Sequence, residues 1–220
     1  MTRYDLLDLI WYACSAVILV PIALGVRYWA YLSVQERTVV WFLVIMLALE
    51  IIATCLRYSL IRNHFIFYFR TLAVLWVGVA WYEPQINWKR WPALLAVIVV
   101  GGMLAEVWFW VGFNYINTFS LTLAWLLLVS YGFLSLLQLM NLPTAVSLRQ
   151  KPDLYMNAGF VLLGFFSAGT ACLENYFIET SLDLYYFSDT LLVFMSATAY
   201  VSFATGFARK QQISDSLLSV

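Results

Sequence analysis

Histidine, cysteine and charged residues are scarce in this chain, and each shortage argues against a class of function. The 220 residues include one histidine and three cysteines, and 11% of them are charged. Haem electron carriers usually need paired axial histidines, and zinc hydrolases need several histidine and acidic ligands. A chain with a single histidine fits neither class. Cys14, Cys55 and Cys172 match no CxxC-type spacing, so we expect them to be apolar packing residues.

The common catalytic signatures are also missing. The sequence has no GxSxG nucleophile elbow, no HExxH motif and no phosphate-binding glycine loop. The last apolar segment carries no lysine before Lys210, which argues against a retinal-based pump. We therefore predict no cofactor, no metal site and no catalytic residue. An acid-based enzyme using Glu50 and Glu106 stays open, because paired carboxyl groups can take different protonation states.

The balance of charge argues against a polyanionic partner. Twelve Lys and Arg residues stand against twelve Asp and Glu residues. Nucleic-acid partners require a basic excess, so no nucleic acid is expected to bind.

What the sequence has in abundance is hydrophobic residues, at 64%. A water-facing surface cannot accommodate that excess, whereas about 20 apolar residues span a bilayer as one helix. The segments lack the strict alternation of a barrel strand. They predict an all-α polytopic membrane protein, a bundle of about seven transmembrane helices in residues 1–210 with a short cytoplasmic tail at 211–220. The segments are 6–32, 38–60, 64–83, 92–113, 116–141, 154–177 and 185–208.

Positively charged loop residues predict the orientation of this bundle. One set of segment ends carries seven cations, and the other set carries Arg3, Arg57 and Arg62. The seven are Arg37, Lys89, Arg90, Arg149, Lys151, Arg209 and Lys210. By the positive-inside rule, the N-terminus lies outside the cytoplasmic membrane and the C-terminus lies inside. The N-terminal apolar run has no small-residue cleavage site, so we interpret it as the first span.

Two further features of the sequence bear on helix shape and helix packing. Pro21 removes a backbone hydrogen bond inside the first segment and predicts a kink there. Gly101 with Ala105, and Gly164 with Ala168, have the small-xxx-small spacing that lets helices approach closely inside a membrane.

Ionisable residues inside the segments are the most informative positions, because each costs about 2.5 to 3.5 kcal/mol at a helix centre. Glu50, Thr54 and Arg57 share one helical face. Under the predicted orientation nearly all such residues fall in the outer half, which predicts a polar cavity that opens outward above an apolar floor. The candidate ligand-binding residues are Glu50, Arg57, Arg70, Glu106, Asn114, Asn117, Glu174 and Asp189.

Other interpretations of these residues stay open. They can form structural ion pairs, such as Glu50 with Arg70 or Glu106 with Arg70. They can also line a proton or ion path, although the inner half offers no matching relay. His64 begins the third segment, where it is either an interfacial residue or a pH sensor, since its ordinary pKa is near 6.5.

The second half of the chain resembles a known kind of membrane region. The residues concerned are the stretch 117–141 followed by Lys151, Pro152, Asp153, Leu154, Tyr155, Met156, Asn157, Ala158 and Gly159. They resemble seven-helix membrane regions of Bacteroidetes-type bacteria, in an asparagine-rich entry to helix five and a Pro-acidic-aromatic step before helix six. Such regions are sensory or accessory modules, sometimes joined to histidine kinases or encoded beside them.

These signals lead to a hypothesis of function. We expect a sensor that binds a small or lipidic ligand and signals through a partner protein, because the residues after Arg209 are too few for an output domain. The partner would contact the inner loops or the tail. A structural subunit of a membrane assembly and an ion or proton transporter are the alternatives. The sequence leaves the oligomeric state open.

Overall fold

Helices make up the regular secondary structure of this protein. The structure is a computed structural model that describes residues 3–59, 63–85, 90–111, 117–141 and 148–218, and within these ranges it contains no strand. The α-helices are α1 (Arg3–Ala16), α2 (Leu19–Arg27), α3 (Val34–Tyr58), α4 (Ile66–Tyr82), α5 (Trp91–Ala105), α6 (Thr118–Asn141), α7 (Pro152–Thr180) and α8 (Leu182–Leu218). A π-helix, Glu106–Val111, continues α5, and 3₁₀ turns lie at Trp29–Tyr31 and Leu148–Gln150.

Each of the seven predicted apolar segments corresponds to a helix, with α1 and α2 together forming the first. Within the described residues, six of these helices are long and apolar enough to cross a bilayer. The exception is α4, which has 17 residues. The all-helical class is therefore confirmed, and six of the seven helices have the length and composition of membrane spans.

Two predicted segment boundaries differ from the helix ends for identifiable reasons. Helix α3 begins at Val34 rather than at 38, because Ser33 and Glu36 form a capping box in which each side chain accepts a backbone N–H from the other residue. Helix α8 continues to Leu218, past the predicted end at 208 and past the predicted tail boundary at 210. The predicted end marks where the apolar residues stop, whereas the helix itself continues through the polar residues that follow.

The first segment breaks where Pro21 predicts a kink. The ring of a helical proline clashes with the carbonyl four residues earlier, which here belongs to Val17. The α-helix ends at Ala16 and resumes at Leu19, and the N–H groups of Val17 and Ile18 donate to Cys14 and Ser15, three residues back rather than four. The predicted kink is confirmed as a break between α1 and α2.

Six helical segments form a closed ring, and α5 stands outside it. Going round the ring, α2 packs on α3, α3 on α4, α4 on α6, α6 on α7, α7 on α8, and α8 on both α1 and α2. Helix α5 packs against α4 and α6 from outside. The ring therefore encloses an interior to which α5 is peripheral.

Side-chain contacts define two ends of the bundle. At the end where α3 finishes, the Tyr12 and Tyr58 hydroxyls are 2.6 Å apart, which joins the second half of α1 to the end of α3. We call this the N-terminal end. At the other, C-terminal end, the Lys210 ammonium lies 3.1 Å from the Glu36 carboxylate and so joins α8 to α3. Helix α3 therefore begins at the C-terminal end, where α8 carries Lys210, and finishes at the N-terminal end.

Aromatic side chains fill the middle of the ring. Phe160 on α7 contacts the rings of Phe42, Trp81, Tyr82 and Phe203, at centroid distances of 4.9 to 6.1 Å. All five side chains are at most 1% exposed. They come from α3, α4, α7 and α8, so this aromatic layer ties four of the six ring segments together.

A buried hydrogen-bond network lies on the C-terminal side of the aromatic layer. The Trp81 indole donates to the Asn157 side-chain oxygen at 3.0 Å, and the Asn157 amide donates to Ser135 at 2.9 Å. Ser135 in turn donates to the Gln85 side chain at 2.8 Å. The network joins α4, α6 and α7 through polar groups that are satisfied by one another, which is what burial requires.

The two small-residue pairs have different environments. A Cβ on Gly164 would lie 2.8 Å from Val129 Cγ2 and 3.3 Å from the Trp125 carbonyl oxygen, so α6 and α7 touch here. Gly101 is exposed and has open space around its missing side chain. Internal packing is confirmed for Gly164, and it is wrong for Gly101 because α5 turns that face away from the ring.

These environments give a matched pair of substitutions. Gly164→Ala should lower the free energy of unfolding by about 1 to 3 kcal/mol, because the methyl group meets a stiff β-branched side chain and a backbone carbonyl. Gly101→Ala should leave stability unchanged or raise it slightly. Thermal unfolding of both variants in the same detergent measures the difference, and equal effects would contradict the α6–α7 contact.

A second prediction concerns the ion pair at the C-terminal end. Glu36 is 3% exposed, so Lys210→Met should destabilise the protein by about 1 to 3 kcal/mol by leaving a buried carboxylate without its cation. Adding Glu36→Gln to the same chain should recover most of that loss, because it removes the stranded charge. A double variant no more stable than Lys210→Met would show that the pair does not join α3 to α8.

Candidate functional site: a cavity inside the helix ring

A cavity of about 420 Å³ lies inside the ring, on the N-terminal side of the aromatic layer. All six ring segments contribute side chains to its wall, and α5 contributes none. Packed protein interiors leave few voids larger than a water molecule, whereas pockets for small molecules are typically about 300 to 1,000 Å³. The cavity has the volume of a ligand site.

Four of the eight predicted ligand-binding residues line this cavity: Glu50, Arg70, Glu174 and Asp189. Arg70 on α4 donates from its guanidinium to the Glu50 carboxylate on α3, so the predicted Glu50–Arg70 pair is present. Glu174 lies within electrostatic reach of Arg70 and Asp189. Three carboxyl groups and one guanidinium thus face a common space, although their role in binding stays a prediction.

The rest of the wall combines small hydroxyls with aromatic rings. Ser167 and Thr170 lie on the same face of α7 as Glu174, and Ser196 lies two turns beyond Asp189 on α8. The aromatic lining residues are Trp11, Tyr12, Phe67, Trp125 and Tyr200. The apolar surface of the wall is therefore interrupted by a few polar groups, which is the usual character of a small-molecule pocket.

The wall is thinnest between the first segment and α3. Five lining residues are also exposed on the surface of the bundle, and every one belongs to these two segments: Tyr12, Ala16, Leu19, Ile51 and Cys55. The hydrogen bond between the Tyr12 and Tyr58 hydroxyls crosses the same gap at its N-terminal end. The cavity therefore approaches the side of the bundle, where a bilayer would surround it.

The aromatic layer closes the opposite side of the cavity. The lining residues Met46, Leu163 and Tyr200 lie one helical turn from Phe42, Phe160 and Phe203 respectively. Because those three phenylalanines are fully buried, they form an apolar floor, as the sequence predicts.

Three of the remaining predicted residues, Arg57, Glu106 and Asn117, do not line the cavity. Arg57 is exposed near the end of α3. Asn117 is fully buried, and its amide donates to the Thr71 hydroxyl at 2.9 Å between α6 and α4. His64 lies in the turn before α4, away from the cavity wall. Asn114 lies outside the described residues.

Glu106 has a structural contact instead of a place in the cavity. It is 6% exposed at the start of the π-helix, and its carboxylate accepts the backbone N–H groups of Phe119 and Ser120 at 3.3 and 3.1 Å. The Ser120 hydroxyl donates to it as well. These are first-turn groups of α6, where a negative charge is favoured by the helix dipole. Glu106 therefore does not pair with Arg70, and the suggested pairing is wrong.

Some lining residues are absent from the sequence prediction. Trp11 and Tyr12 belong to the first segment, which carries no charge beyond Asp8 until Arg27 and so gave no signal of a polar site. Tyr200 lies near the cavity floor and within electrostatic reach of Glu50 and Arg70, although its position along the chain suggested the inner half. A tyrosine in a predicted span is usually interpreted as an interfacial residue. The sequence therefore did not indicate that Tyr200 lines the cavity.

Comparison with known proteins adds no functional information. No protein-family model, no curated protein and no solved structure matches this chain. The cavity and its chemistry are therefore the basis of the functional argument.

The position of Glu106 gives a prediction that separates it from the cavity residues. Glu106→Ala should lower the free energy of unfolding by about 1 to 2 kcal/mol, because α6 loses the acceptor for its first-turn N–H groups. Glu179→Ala, at an exposed position on α7, is the control and should have little effect. Thermal unfolding measures both, and a Glu106→Ala variant as stable as the control would contradict the capping role.

Proposed function

We propose that this chain is a seven-span sensor of the bacterial cytoplasmic membrane, which binds a small or lipidic ligand in the ring cavity. Bound ligand would be communicated to a partner protein at the C-terminal end. The observation that carries the proposal is the space of about 420 Å³ inside the ring, lined by Glu50, Arg70, Glu174 and Asp189. The resemblance to sensory seven-helix regions is consistent with this function.

The membrane setting is supported by the outward faces of the helices. Large apolar side chains such as Trp41, Phe69, Phe165 and Phe194 are more than half exposed around the bundle. Such a surface suits lipid and is unfavourable in water. We count α4 as the seventh span, because 17 helical residues extend about 25 Å and the turn before the helix adds to that length. The positive-inside rule then puts the N-terminal end outside.

A purely structural role would leave the cavity without an explanation. The Glu50–Arg70 pair accounts for two of the four ionisable lining residues, and Glu174 and Asp189 contribute two further carboxyl groups. The Arg70 and Glu50 side chains are 21% and 28% exposed, and both border the cavity, so a small molecule could contact them there. A ligand that fills the space would supply such contacts.

The thin wall between the first segment and α3 supports a ligand that arrives through the bilayer. The exposed lining residues there are mainly apolar, so a lipid-soluble molecule can approach without crossing a polar barrier. The aromatic floor argues against transport, since three fully buried phenylalanines separate the cavity from the C-terminal end. A binding site closed at one end is more useful to a sensor than to a transporter.

Two helices offer a route by which occupancy could affect the C-terminal end. Helix α3 carries Glu50 at the cavity and Glu36 near its start, and α8 carries Asp189 at the cavity and Lys210 towards its end. The Glu36–Lys210 pair joins these helices beyond the floor. A shift of α3 against α8 at the cavity would therefore strain that pair, which lies where the proposed partner would bind.

Filling the cavity tests the proposed function. Ser196 lines the cavity, whereas Thr198 is exposed on the same helix. Protein purified in mild detergent from its native membranes should carry a bound small molecule or lipid, detected by native mass spectrometry. Ser196→Phe should lose it because the new ring occupies the space, and Thr198→Phe should retain it.

The alternatives predict different results in the same experiment. A structural subunit would co-purify with a stoichiometric protein partner and with no ligand, and Ser196→Phe would change nothing. A transporter would show ion flux in liposomes that Ser196→Phe reduces. Retention of the same ligand by Ser196→Phe and Thr198→Phe would overturn the proposal that the cavity is the site.

A further inference from the structure

Four hydroxyl groups face the cavity and have no hydrogen-bond partner among the described residues. They come from four different segments of the ring: Ser15 of α1, Thr54 of α3, Ser167 of α7 and Ser196 of α8. A polar group that is removed from water costs free energy unless it finds a new partner. A hydroxyl can both donate and accept a hydrogen bond, so these groups suit an uncharged alcohol or carbonyl group on a ligand.

The charged side chains of the wall do not select an ionised ligand. Arg70 pairs with Glu50, and of the neighbouring charges it is also the one that acts most strongly on Glu174. Asp189 has an interaction of its own. A cationic head beside Glu50 or Glu174 would therefore meet Arg70, and an anionic head beside Arg70 would meet the carboxyl groups. Like charges repel each other strongly where the dielectric constant is low, so a neutral head is favoured over either ionised one.

The thin wall between the first segment and α3 has a different character. Five exposed lining residues border it, most of them apolar, and none of the four hydroxyl residues is among them. Leu19 and Ile51, one from each side of this gap, are 51% and 54% exposed. The Tyr12–Tyr58 hydrogen bond crosses the N-terminal end of the gap, so its apolar part lies along the side of the bundle. An alkyl chain suits this part of the wall, whereas a polar head suits the interior.

From these features we infer that the ligand of the cavity is a neutral single-chain amphiphile, such as a long-chain alcohol or a monoacylglycerol. Its head would bind the hydroxyls inside the ring, and its chain would pass between the first segment and α3 into the bilayer. A gap between two neighbouring helices suits one chain better than two. This inference rests on the proposed function, because it names the ligand class and the route of entry for the same cavity.

Three probes with chains of equal length and different heads test the ligand class: monooctanoylglycerol, octanoate and octyltrimethylammonium. When added to the protein in mild detergent, monooctanoylglycerol should raise the melting temperature in a saturable way. The two ionised probes should need concentrations at least about tenfold higher, because each meets a like charge in the cavity. Ser196→Phe should abolish the effect of monooctanoylglycerol, since the new ring occupies the space.

Removing hydroxyl groups assigns the effect to the polar lining. A double variant, Ser167→Ala with Ser196→Ala, should weaken monooctanoylglycerol binding by about threefold to tenfold for each hydrogen bond lost. Ser130→Ala is the matched control, because Ser130 is exposed on α6 and lies outside the cavity wall. It should bind the probe as the unaltered protein does. These changes remove one oxygen each and leave the helices able to pack as before.

Two adjacent isoleucines test the route of entry. Ile51 lines the cavity at the gap, whereas Ile52 is similarly exposed, at 47%, and lies outside the cavity wall. Ile51→Phe should slow the uptake of monooctanoylglycerol from lipid nanodiscs severalfold, because the ring narrows the gap. Ile52→Phe should take up the probe at the rate of the unaltered protein. Native mass spectrometry at successive times after addition measures both rates.

The possible failures of the two proposals differ. The inferred ligand class would be overturned by an ionised probe that binds as tightly as monooctanoylglycerol, or by a double serine variant that binds it as tightly as Ser130→Ala. Equal uptake by Ile51→Phe and Ile52→Phe would overturn the route. If no probe binds saturably while Ser196→Phe still loses its native ligand, the inference fails and the cavity remains a ligand site. No saturable binding of any probe, together with no ligand lost from Ser196→Phe, would overturn the proposed function itself.

Discussion

The cost of placing ionised groups among apolar helices constrains this structure more than any other interaction. Three carboxylates inside the bundle have identified partners. Arg70 holds Glu50, Lys210 holds Glu36, and the first turn of α6 holds Glu106. These contacts fix α3 against α4, α8 against α3, and α5 against α6. In a bilayer, an apolar outer surface supplies little drive for helices to associate, and polar contacts and close packing then determine which helices are neighbours.

The same constraint explains the layered interior. The cavity with its carboxyl groups, the aromatic layer and the Trp81–Asn157–Ser135–Gln85 network follow one another from the N-terminal end to the C-terminal end. Polar groups in the network satisfy one another, whereas those at the cavity border open space. The ring thus has one half that is complete in itself and one half that has room for another molecule.

The sequence predicted the broad architecture because apolar segments of span length are read directly from composition. Helical periodicity also predicted that Glu50 and Thr54 share one face of α3, and both line the cavity. It could not predict which helices meet. In the sequence, Glu106 and Glu50 are both acidic residues inside predicted spans. Because α5 lies outside the ring, Glu106 contacts the start of α6, whereas Glu50 lines the cavity. The contributions of Trp11 and Tyr200 likewise depend on helix order round the ring, which periodicity does not encode.

The break caused by Pro21 divides the first segment into parts with different mechanical roles. Helix α2 is anchored, because Gly25 lies so close to Val40 of α3 that a side chain has no room there. Helix α1, before the break, is joined to α3 by the Tyr12–Tyr58 hydrogen bond between two exposed hydroxyls. At the break, the N–H groups of Val17 and Ile18 donate three residues back rather than four. The proline therefore divides this part of the wall into one helix that is joined to α3 by close packing and one that is joined to it by a side-chain hydrogen bond.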